Sequence, residues 1–151
     1  MERTVAALLE LCAKCRTFTL ATAGAAGEPM AAAVYFAYTP PLEFCFLSAP
    51  DTQPGRNLAR DPRAAVTLFP PSCAWQEIRG APRHGTAQRV DGAQRERGWQ
   101  VYRARFPFVG ELQAALAGTQ LHLFRPNWAR VVDNRIGFGH KQEWQWTSPP
   151  A

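Results

Sequence analysis

The stretch Glu28–Phe69, EPMAAAVYFAYTPPLEFCFLSAPDTQPGRNLARDPRAAVTLF, decides the fold of this chain. It contains three runs rich in aromatic, β-branched and small apolar residues, which predict strands at residues 30–38, 42–48 and 64–70. Pro40 and Pro41 break the chain between the first two strands. Within this stretch the sequence predicts one helix, a short one at Asn57–Arg60 that ends before Pro62 and the third strand. Strands with so little helix between them favour antiparallel pairing.

The periodicity of apolar residues extends this prediction outwards along the chain. Helical spacing recurs in three further segments, at residues 3–15, 93–104 and 109–117. Strand patterns occupy residues 17–22 and a long extended segment at residues 75–90, which is bent near Gly80. Three later strands are predicted at residues 119–126, 127–133 and 140–146. About seven strands with few strand–helix alternations favour one mainly β domain, 1–151, built as an antiparallel barrel with peripheral helices.

The composition is that of a folded, non-membrane protein. Apolar residues make up 46% and charged residues 19% of the 151 residues, and no apolar run approaches the roughly 18 residues of a membrane span. The N-terminus carries Glu2 and Glu10 within its apolar pattern, which is atypical of a signal peptide. We therefore expect a cytoplasmic protein without a membrane partner.

The net charge of +5 is compatible with an anionic small molecule or with nucleic acid. The arginine-rich segment at residues 94–106 is the one candidate for nucleic acid, with side chains at Arg95, Arg97, Arg103 and Arg105. Trp99 and Tyr102 lie on the packing face of the same helix, so a solvated amphipathic helix is favoured. We expect no nucleic-acid partner, and the charge by itself is more typical of a solvated surface.

The chain lacks the usual enzyme and metal signatures. Cys12 and Cys15 have CxxC spacing, but no second pair or nearby histidine pair accompanies them, and they lie on an apolar helical stripe. Packing is favoured over chemistry for both, and we expect no metal site. The three histidines are scattered, and His122 lies in an alternating strand where a structural role is favoured.

The segment VVDNRIGFGHKQEW, residues 131–144, resembles a glycine-rich phosphate loop at first sight. A phosphate loop requires a helix after its glycines, whereas a strand pattern follows Gly139. We therefore predict a turn between the last two strands, with Phe138 packed against the body of the protein.

The stretch that decides the fold resembles the first half of the pyridoxamine 5′-phosphate oxidase-like, FMN-binding split-barrel proteins. The shared order is strand, turn, strand ending in Ser, polar loop, Asn-Leu, and Asp-Pro before the next strand. Three later segments resemble a smaller, uncharacterised branch of that superfamily, the YhbP-like proteins: IRGAPRHGTAQRV, YRARFPF and DNRIGFGHKQEW. The resemblance covers nearly the whole chain. It implies a mainly β (α+β), six-stranded antiparallel split β-barrel with peripheral helices, which forms a homodimer.

The resemblance also implies where FMN would bind, in a groove at the interface between the two subunits. The second strand, from Ala32 to Ala37, would hold the flavin ring largely through its backbone, at Ala33, Val34, Tyr35 and Phe36. Residues after the third strand would hold the phosphate, at Ser48, Thr52, Gln53, Arg56 and Asn57. Lys141 of the partner subunit is a further candidate contact.

The phosphate-binding cations of the family pattern are missing from this chain. Ala32 stands where the pattern has a phosphate-binding Arg, Ala37 where it has a ring-contacting Lys, and Thr52-Gln53-Pro54 where it has Ser-Arg-Lys. Such losses weaken phosphate binding by about 1.5–3 kcal/mol per charged hydrogen bond. Cations elsewhere in the chain are candidate replacements: Arg56, Arg79, Arg83 and Lys141. A helix N-terminus capped by Asn57 is a further candidate. For Arg79, Arg83 and Lys141, an exposed strand face is the favoured interpretation.

Six aromatic residues are candidates for walls of a flat-ring pocket: Tyr35, Phe36, Trp75, Trp99, Phe138 and Trp144. For most of them a place in the core or in a dimer interface is favoured.

Two functions follow from the resemblance and its departures. The first is an FMN-binding, flavin-dependent oxidoreductase in which no catalytic side chain is identified. The second is a binding protein for another ligand, such as haem, a deazaflavin or a small anionic metabolite, with weak or no affinity for FMN.

Overall fold

The computed structural model describes residues 2–40, 42–72 and 74–146. Its strands are Thr17–Ala23 (β1), Pro29–Thr39 (β2), Glu43–Ser48 (β3), Arg63–Thr67 (β4), Arg79–Gly80 (β5), Arg83–Arg89 (β6), Gln120–Asp133 (β7) and Lys141–Gln145 (β8). Its α-helices are Glu2–Lys14 (α1), Gln53–Arg60 (α2), Gly92–Arg105 (α3) and Gln113–Leu116 (α4). Two 3-10 turns complete the regular structure of these residues, at Trp75–Glu77 and Pro107–Leu112.

Six of the strands close into a barrel. They pair in the order β3-β2-β1-β4-β6-β7, every pair is antiparallel, and β3 pairs with β7 to complete the ring. The short strands β5 and β8 both pair with the C-terminal part of β7, residues 128–133. The six-stranded antiparallel barrel with peripheral helices predicted from the sequence is confirmed.

The strand β7 corrects the prediction of two strands divided at Pro126. It runs unbroken through Pro126 because the β6–β7 register shifts between His84 and Gly85, directly opposite the proline. A bulge at this point tolerates a residue that has no N–H to donate to the ladder. A Cβ atom on Gly85 would stand 2.1 Å from the Arg125 carbonyl oxygen, so the two strands can approach this closely only with glycine here.

Two other segments are more broken than the sequence predicted. The extended segment at residues 75–90 is divided into a 3-10 turn, β5 and β6. The helix at residues 109–117 is replaced by a 3-10 turn that starts at Pro107 and by the four-residue α4. In both segments proline removes a backbone donor near the point where the chain changes conformation.

Aromatic side chains fill the barrel and α1 packs against them. Phe18 and Phe36 stack with ring centroids 4.7 Å apart, and Phe44, Phe46 and Phe124 are also fully buried. The helix α1 contributes a buried stripe to the same core: Leu8, Leu11 and Cys12. Cys12 and Cys15 are both buried and free, which agrees with the predicted packing role, whereas Cys73 lies outside the described residues.

A second apolar cluster lies between the outside of the barrel and α3. Trp99 and Tyr102 of α3 pack there with Val109, Leu121 and Leu123. Arg105, which the sequence placed on the solvated face, instead donates hydrogen bonds to the carbonyls of Phe36 and Cys12, at 3.0 and 2.8 Å. The helix is therefore fixed to the barrel by both apolar and charged contacts.

The segment after Asp133 is a turn and not a phosphate loop. Gly139 has φ +69, and its N–H donates to Asn134 Oδ1 at 2.9 Å, before the chain continues as β8. The prediction that Phe138 packs against the body is wrong, since 83% of Phe138 is exposed and its ring meets the exposed Trp75 edge-on. In the described part of the chain, no helix combines the length and apolar character needed to span a membrane.

Candidate functional site

The outer face of β2 carries small side chains and is open. Ala31 and Ala33 are exposed on it, and 48% of Tyr35 is exposed beside them. Residues directly opposite each other on neighbouring strands share a face. The strands β1 and β4 continue this face with small residues where they pair, which forms a small-residue platform: Thr19, Ala21, Ala31, Ala33, Ala65 and Thr67. Arg63 lies on the same face at the start of β4. A planar ring or a second protein surface can approach such a face closely.

One edge of β2 is also open over residues 29–35. Residues 29–35 pair with β1, whereas pairing with β3 starts only at Phe36 and ends at Thr39. The β3-facing edge of residues 29–35 thus has no strand partner in the described part of the chain. Backbone N–H and C=O groups on such an edge are available to a ligand.

The predicted ring contacts differ in what they can offer. Ala33 and Tyr35 lie on the open face, whereas Val34 is half-buried and Phe36 is fully buried against Phe18. The backbone of Phe36 is also occupied, because its N–H donates to the Arg16 carbonyl and its carbonyl accepts from Arg105. Phe36 therefore has no free group for a ring on the open face.

Ser48 and Thr52 come together at the end of β3, as the sequence predicted for a phosphate site. Their hydroxyl oxygens are 3.0 Å apart. Thr52 Oγ1 donates to the Ala49 carbonyl at 2.7 Å, so the Ser48 hydroxyl is the donor in the contact between the two. An anion at this site gains a hydroxyl donor only if one of these bonds is exchanged.

The helix after this turn begins at Gln53, and Thr52 is its N-cap. The prediction that Asn57 caps the helix is wrong. Asn57 is fully buried inside α2, where its Nδ2 donates to Thr22 Oγ1 at 3.0 Å and its Oδ1 accepts from Gln53 Nε2 at 2.7 Å. It attaches α2 to β1 instead of facing an anion.

The N-terminus of α2 offers few free donors. Pro54 has no N–H, and the Gly55 N–H already donates to Thr52 Oγ1 at 3.2 Å. The Arg56 N–H donates to the Thr52 carbonyl, which leaves the Gln53 N–H in the first turn. The turn is closely wrapped, since a Cβ atom on Gly55 would stand 2.1 Å from the Ala49 carbonyl oxygen.

Of the cations predicted from the sequence, Arg56 lies next to this turn. Its exposed guanidinium group donates to the Asp51 carbonyl and to Gln53 Oε1, the latter at 3.0 Å. Lys141 is opposite Val132 on β7, whereas Ser48 is opposite Gln120, at the other end of the same strand. Within one subunit Lys141 is therefore remote from the Ser48–Thr52 turn.

Arg79 and Arg83 do not lie on an exposed strand face, and the structure corrects that expectation. The Arg79 side chain is 10% exposed and is paired with Glu10 at 3.1 Å. Arg83 is 1% exposed, with its guanidinium group over the Phe44 ring and Nη1 3.5 Å from Cys12 Sγ. Neither side chain can neutralise an anion at the surface of the barrel.

A pocket that the sequence did not predict lies where α2 meets β6 and β7. It has a volume of about 350 Å³, and its lining combines residues from α2, β6 and β7: Pro50, Gly55, Leu58, Ala59, Arg89, Gln120 and His122. His122 stacks on Phe46 and its Nδ1 lies 3.2 Å from the Gln120 carbonyl oxygen. Burial lowers the pKa of His122, although the Gln120 carbonyl opposes this effect, so the imidazole is neutral at pH 7.

The six aromatic residues considered for a ring pocket do not converge. Phe36 and Trp99 are buried and Trp144 is half-buried, whereas Trp75 and Phe138 form an exposed pair away from β2. Only Tyr35 borders the platform, where its ring meets those of Phe106 and Phe108 edge-on, at 5.3 and 5.7 Å. Within residues 2–40, 42–72 and 74–146, no group of three or more His, Cys, Asp or Glu side chains is arranged to hold a metal ion.

Comparison with known proteins identifies this architecture. A UPF0306 protein of Klebsiella pneumoniae is 29% identical over 119 residues, which are 78% of each chain. A heme-binding protein from Mycobacterium smegmatis superposes with a TM-score of 0.76 at 22% identity, over 89% of this chain and 55% of that one. HutZ, a heme storage protein from Vibrio cholerae, superposes with a TM-score of 0.65 at 18% identity, over 81% and 94% of the two chains.

This chain spans little more than half the length of the mycobacterial protein and about four-fifths of the Klebsiella relative. At these identities the solved structures show a shared fold. The model of the pyridoxamine 5′-phosphate oxidase family matches residues 3–133, which include the whole barrel, the open face of β2 and the Ser48–Thr52 turn. The chain therefore belongs to the pyridoxamine 5′-phosphate oxidase family, as its sequence motifs predicted.

Proposed function

We propose that this protein binds FMN weakly, at the interface of a homodimer, and serves a flavin-dependent redox reaction. The observation that carries the proposal is the open edge of β2 beside the small-residue platform. A flavin ring is planar and has hydrogen-bonding atoms along its rim, and β2 offers a face of small side chains together with unpaired backbone groups. The redox chemistry belongs to the flavin, and the chain binds, orients and shields it.

The phosphate end of the site supports only weak binding. A phosphate monoester carries close to two negative charges, which need cations or several donors when they leave water. The turn supplies Arg56, the Gln53 N–H and the Ser48 hydroxyl, and two of these are already engaged. We expect a Kd for FMN in the micromolar range, roughly 1–100 μM.

A second subunit would complete the site. The platform leaves one side of a bound ring exposed to water, and a homodimer covers that side. Lys141 is remote from the Ser48–Thr52 turn of its own subunit, so it can contribute only from the partner subunit. Its position on the exposed strand β8 is compatible with that role.

The experiment is a titration of the purified protein with FMN, followed by the quenching of flavin fluorescence. We expect saturation in the micromolar range and a loss of affinity of roughly tenfold in Arg56→Ala, since one charged hydrogen bond of about 1.5 kcal/mol is removed. Arg97→Ala removes the same charge from the outer helix α3 and should leave the affinity unchanged. If the fluorescence shows no saturation up to high micromolar FMN, the proposal that the protein binds FMN is wrong.

A second candidate function is the binding of haem or of a small anionic metabolite in the pocket beside His122. A neutral histidine and Arg89 line that pocket, and two proteins of the same fold bind or store heme. It ranks second because about 350 Å³ lies at the lower end of the volumes of ligand pockets, so haem would be enclosed only in part. A parallel titration with hemin separates the two functions: a Soret shift that is lost in His122→Ala, without FMN saturation, favours this one.

A further inference from the structure

A second cationic pocket lies on the outer side of α3, away from β2. It has a volume of about 200 Å³ and lies between α3 and the segment that leads to β7. Its lining contains two arginines and no carboxylate: Arg95, Trp99, Arg103, Val109, Gly110, Gln113, Leu116, Ala117 and Thr119. None of these residues lines the pocket beside His122 or belongs to the proposed flavin site.

Both arginines are positioned by Trp99. Arg95 and Arg103 precede and follow Trp99 by four residues on α3, so the three side chains share one face of the helix. The guanidinium carbons lie 5.8 and 5.0 Å from the centre of the indole ring, within cation–π distance. Contact with one indole ring thereby positions both guanidinium groups at the same pocket.

These charges are poorly neutralised by the protein. Arg103 forms no ion pair within residues 2–40, 42–72 and 74–146, and the carboxylate nearest to Arg95 is that of its neighbour Glu96, at the long distance of 3.5 Å. An anion in the pocket that both arginines line is attracted by both charges. The arrangement therefore favours the binding of an oxyanion.

The indole N–H of Trp99 is a further unused donor. Only 7% of Trp99 is exposed, and its Nε1 is buried without an acceptor in the part of the chain that the structure describes. Native proteins satisfy nearly all buried donors, and Trp99 lines the pocket, so a ligand bound there would supply the missing acceptor. A Cβ atom on Gly98 would stand 2.4 Å from Leu121 Cδ2, so glycine lets α3 pack closely against β7 beside the indole.

The part of the pocket lining that comes from the 107–119 segment is mainly apolar, with Gln113 and Thr119 as its polar members, and it defines the rest of the ligand. Val109, Leu116 and Ala117 face the two arginines across a space that is small for a cofactor or a nucleotide. An inorganic phosphate ion would leave this wall uncovered, whereas a carboxylate with a short hydrocarbon chain covers both walls. We propose that the pocket between α3 and the 107–119 segment binds a short-chain carboxylate, held by Arg95, Arg103 and the Trp99 indole.

The test uses the full-length protein labelled with nitrogen-15 and follows the assigned Trp99 indole signal. Butyrate is the probe, with butyramide as its uncharged counterpart and inorganic phosphate as the purely polar anion. We expect a saturable downfield shift with butyrate, with a Kd on the order of 1–10 mM, a weaker response to phosphate and none to butyramide.

Matched variants locate the binding. Arg103→Gln and Arg95→Gln should each weaken butyrate binding about threefold or more, since each removes an exposed charged contact. Arg97→Gln, on the same helix but outside the pocket lining, should bind as the unaltered protein does. The proposal is overturned if butyrate gives no saturable shift, if phosphate or butyramide binds as tightly as butyrate, or if Arg97→Gln loses as much affinity as Arg103→Gln.

Discussion

At the scale of single residues, several arginines stabilise the fold instead of providing surface charge. Arg105 donates to carbonyls of α1, its adjoining residue Cys15 and β2, and its guanidinium carbon lies 4.7 Å from the centre of the Phe36 ring. The count of arginines in the sequence cannot reveal this, because the roles depend on which carbonyls and rings the fold brings within reach. The positive charge that suggested nucleic acid is thus partly internal.

Arg83 and Arg79 form a natural comparison. Arg83 is enclosed by Phe44 and Cys12, its Nε and Nη2 find no acceptor in the described residues, and burial lowers its pKa. Replacing an uncompensated buried charge by an apolar side chain of similar volume is often neutral or stabilising. Arg79, by contrast, is paired with Glu10.

We therefore expect Arg83→Met to change the free energy of unfolding by less than about 1 kcal/mol, or to increase it, in spite of complete burial. Arg79→Met should reduce it measurably, because Glu10 loses a partner. Urea unfolding of the two variants side by side makes the measurement. A large loss for Arg83→Met with none for Arg79→Met would show that Arg83 is compensated by a contact other than those described.

At the scale of elements, α2 shows what a sequence pattern captures and what it misses. The sequence predicts a helix at Asn57–Arg60, yet α2 starts at Gln53 and includes Pro54 and Gly55. Both residues read as helix breakers, but proline fits the first helical turn, where its missing N–H has no intrahelical partner in any case. Gly55 is there because the Ala49 carbonyl oxygen occupies the space of its side chain. That contact is invisible without the turn that creates it.

Thr52 is expected to determine how firmly α2 begins. Thr52→Ala removes the hydroxyl that accepts from the Gly55 N–H and contacts Ser48, and the loss of such a cap costs about 1 kcal/mol. For a domain of this size that corresponds to a fall in Tm of about 2–4 °C by calorimetry. Thr52→Ser keeps the hydroxyl and should stay close to the unaltered protein; an equal loss in both variants would assign the effect to the methyl group.

The candidate site was predictable to the extent that it lies in consecutive residues. Ser48, Thr52 and Arg56 lie within nine consecutive residues from the end of β3 to the first part of α2, where the Ser48 and Thr52 hydroxyls meet and Arg56 contacts the Asp51 carbonyl. Arg79 and Arg83 were misplaced because the burial of a strand face depends on the closure of the barrel, whereas Lys141 lies on an exposed strand as predicted. His122 and Arg89 reach α2 only through the pairing of β3, β6 and β7, and no local signal reports that pairing.

At the scale of the whole molecule, stability should depend on pH through His122. Burial lowers its pKa in the folded state, while the unfolded chain has the ordinary value of about 6.5. Below pH 6.5 the unfolded state thus binds more protons than the folded state. The stabilising contribution is complete above this pH and is lost as the pH falls towards the lowered pKa.

We expect the free energy of unfolding to decline between pH 7.5 and about 5.5, and His122→Gln to flatten that decline. Chemical unfolding at a series of pH values makes the measurement. Carboxylates with a lowered pKa, among them Asp133, change the free energy of unfolding only below their ordinary pKa near 4. They therefore do not contribute to a decline between pH 7.5 and about 5.5. A decline of the same slope in His122→Gln would exclude His122 as its source.

The strand β7 has a consequence for how the protein is made. It pairs with β3, β5, β6 and β8, and its partners in β3 lie about eighty residues earlier in the sequence. During synthesis the ribosome therefore releases β1 to β6 before the strand that closes the ring exists, and β3 and β6 have unpaired edges in the meantime. Such edges invite association between nascent chains, and pairing across so long a loop is slow. We therefore expect the refolding yield and the need for chaperones to depend on how fast β7, the last strand of the barrel, pairs with β3 and β6.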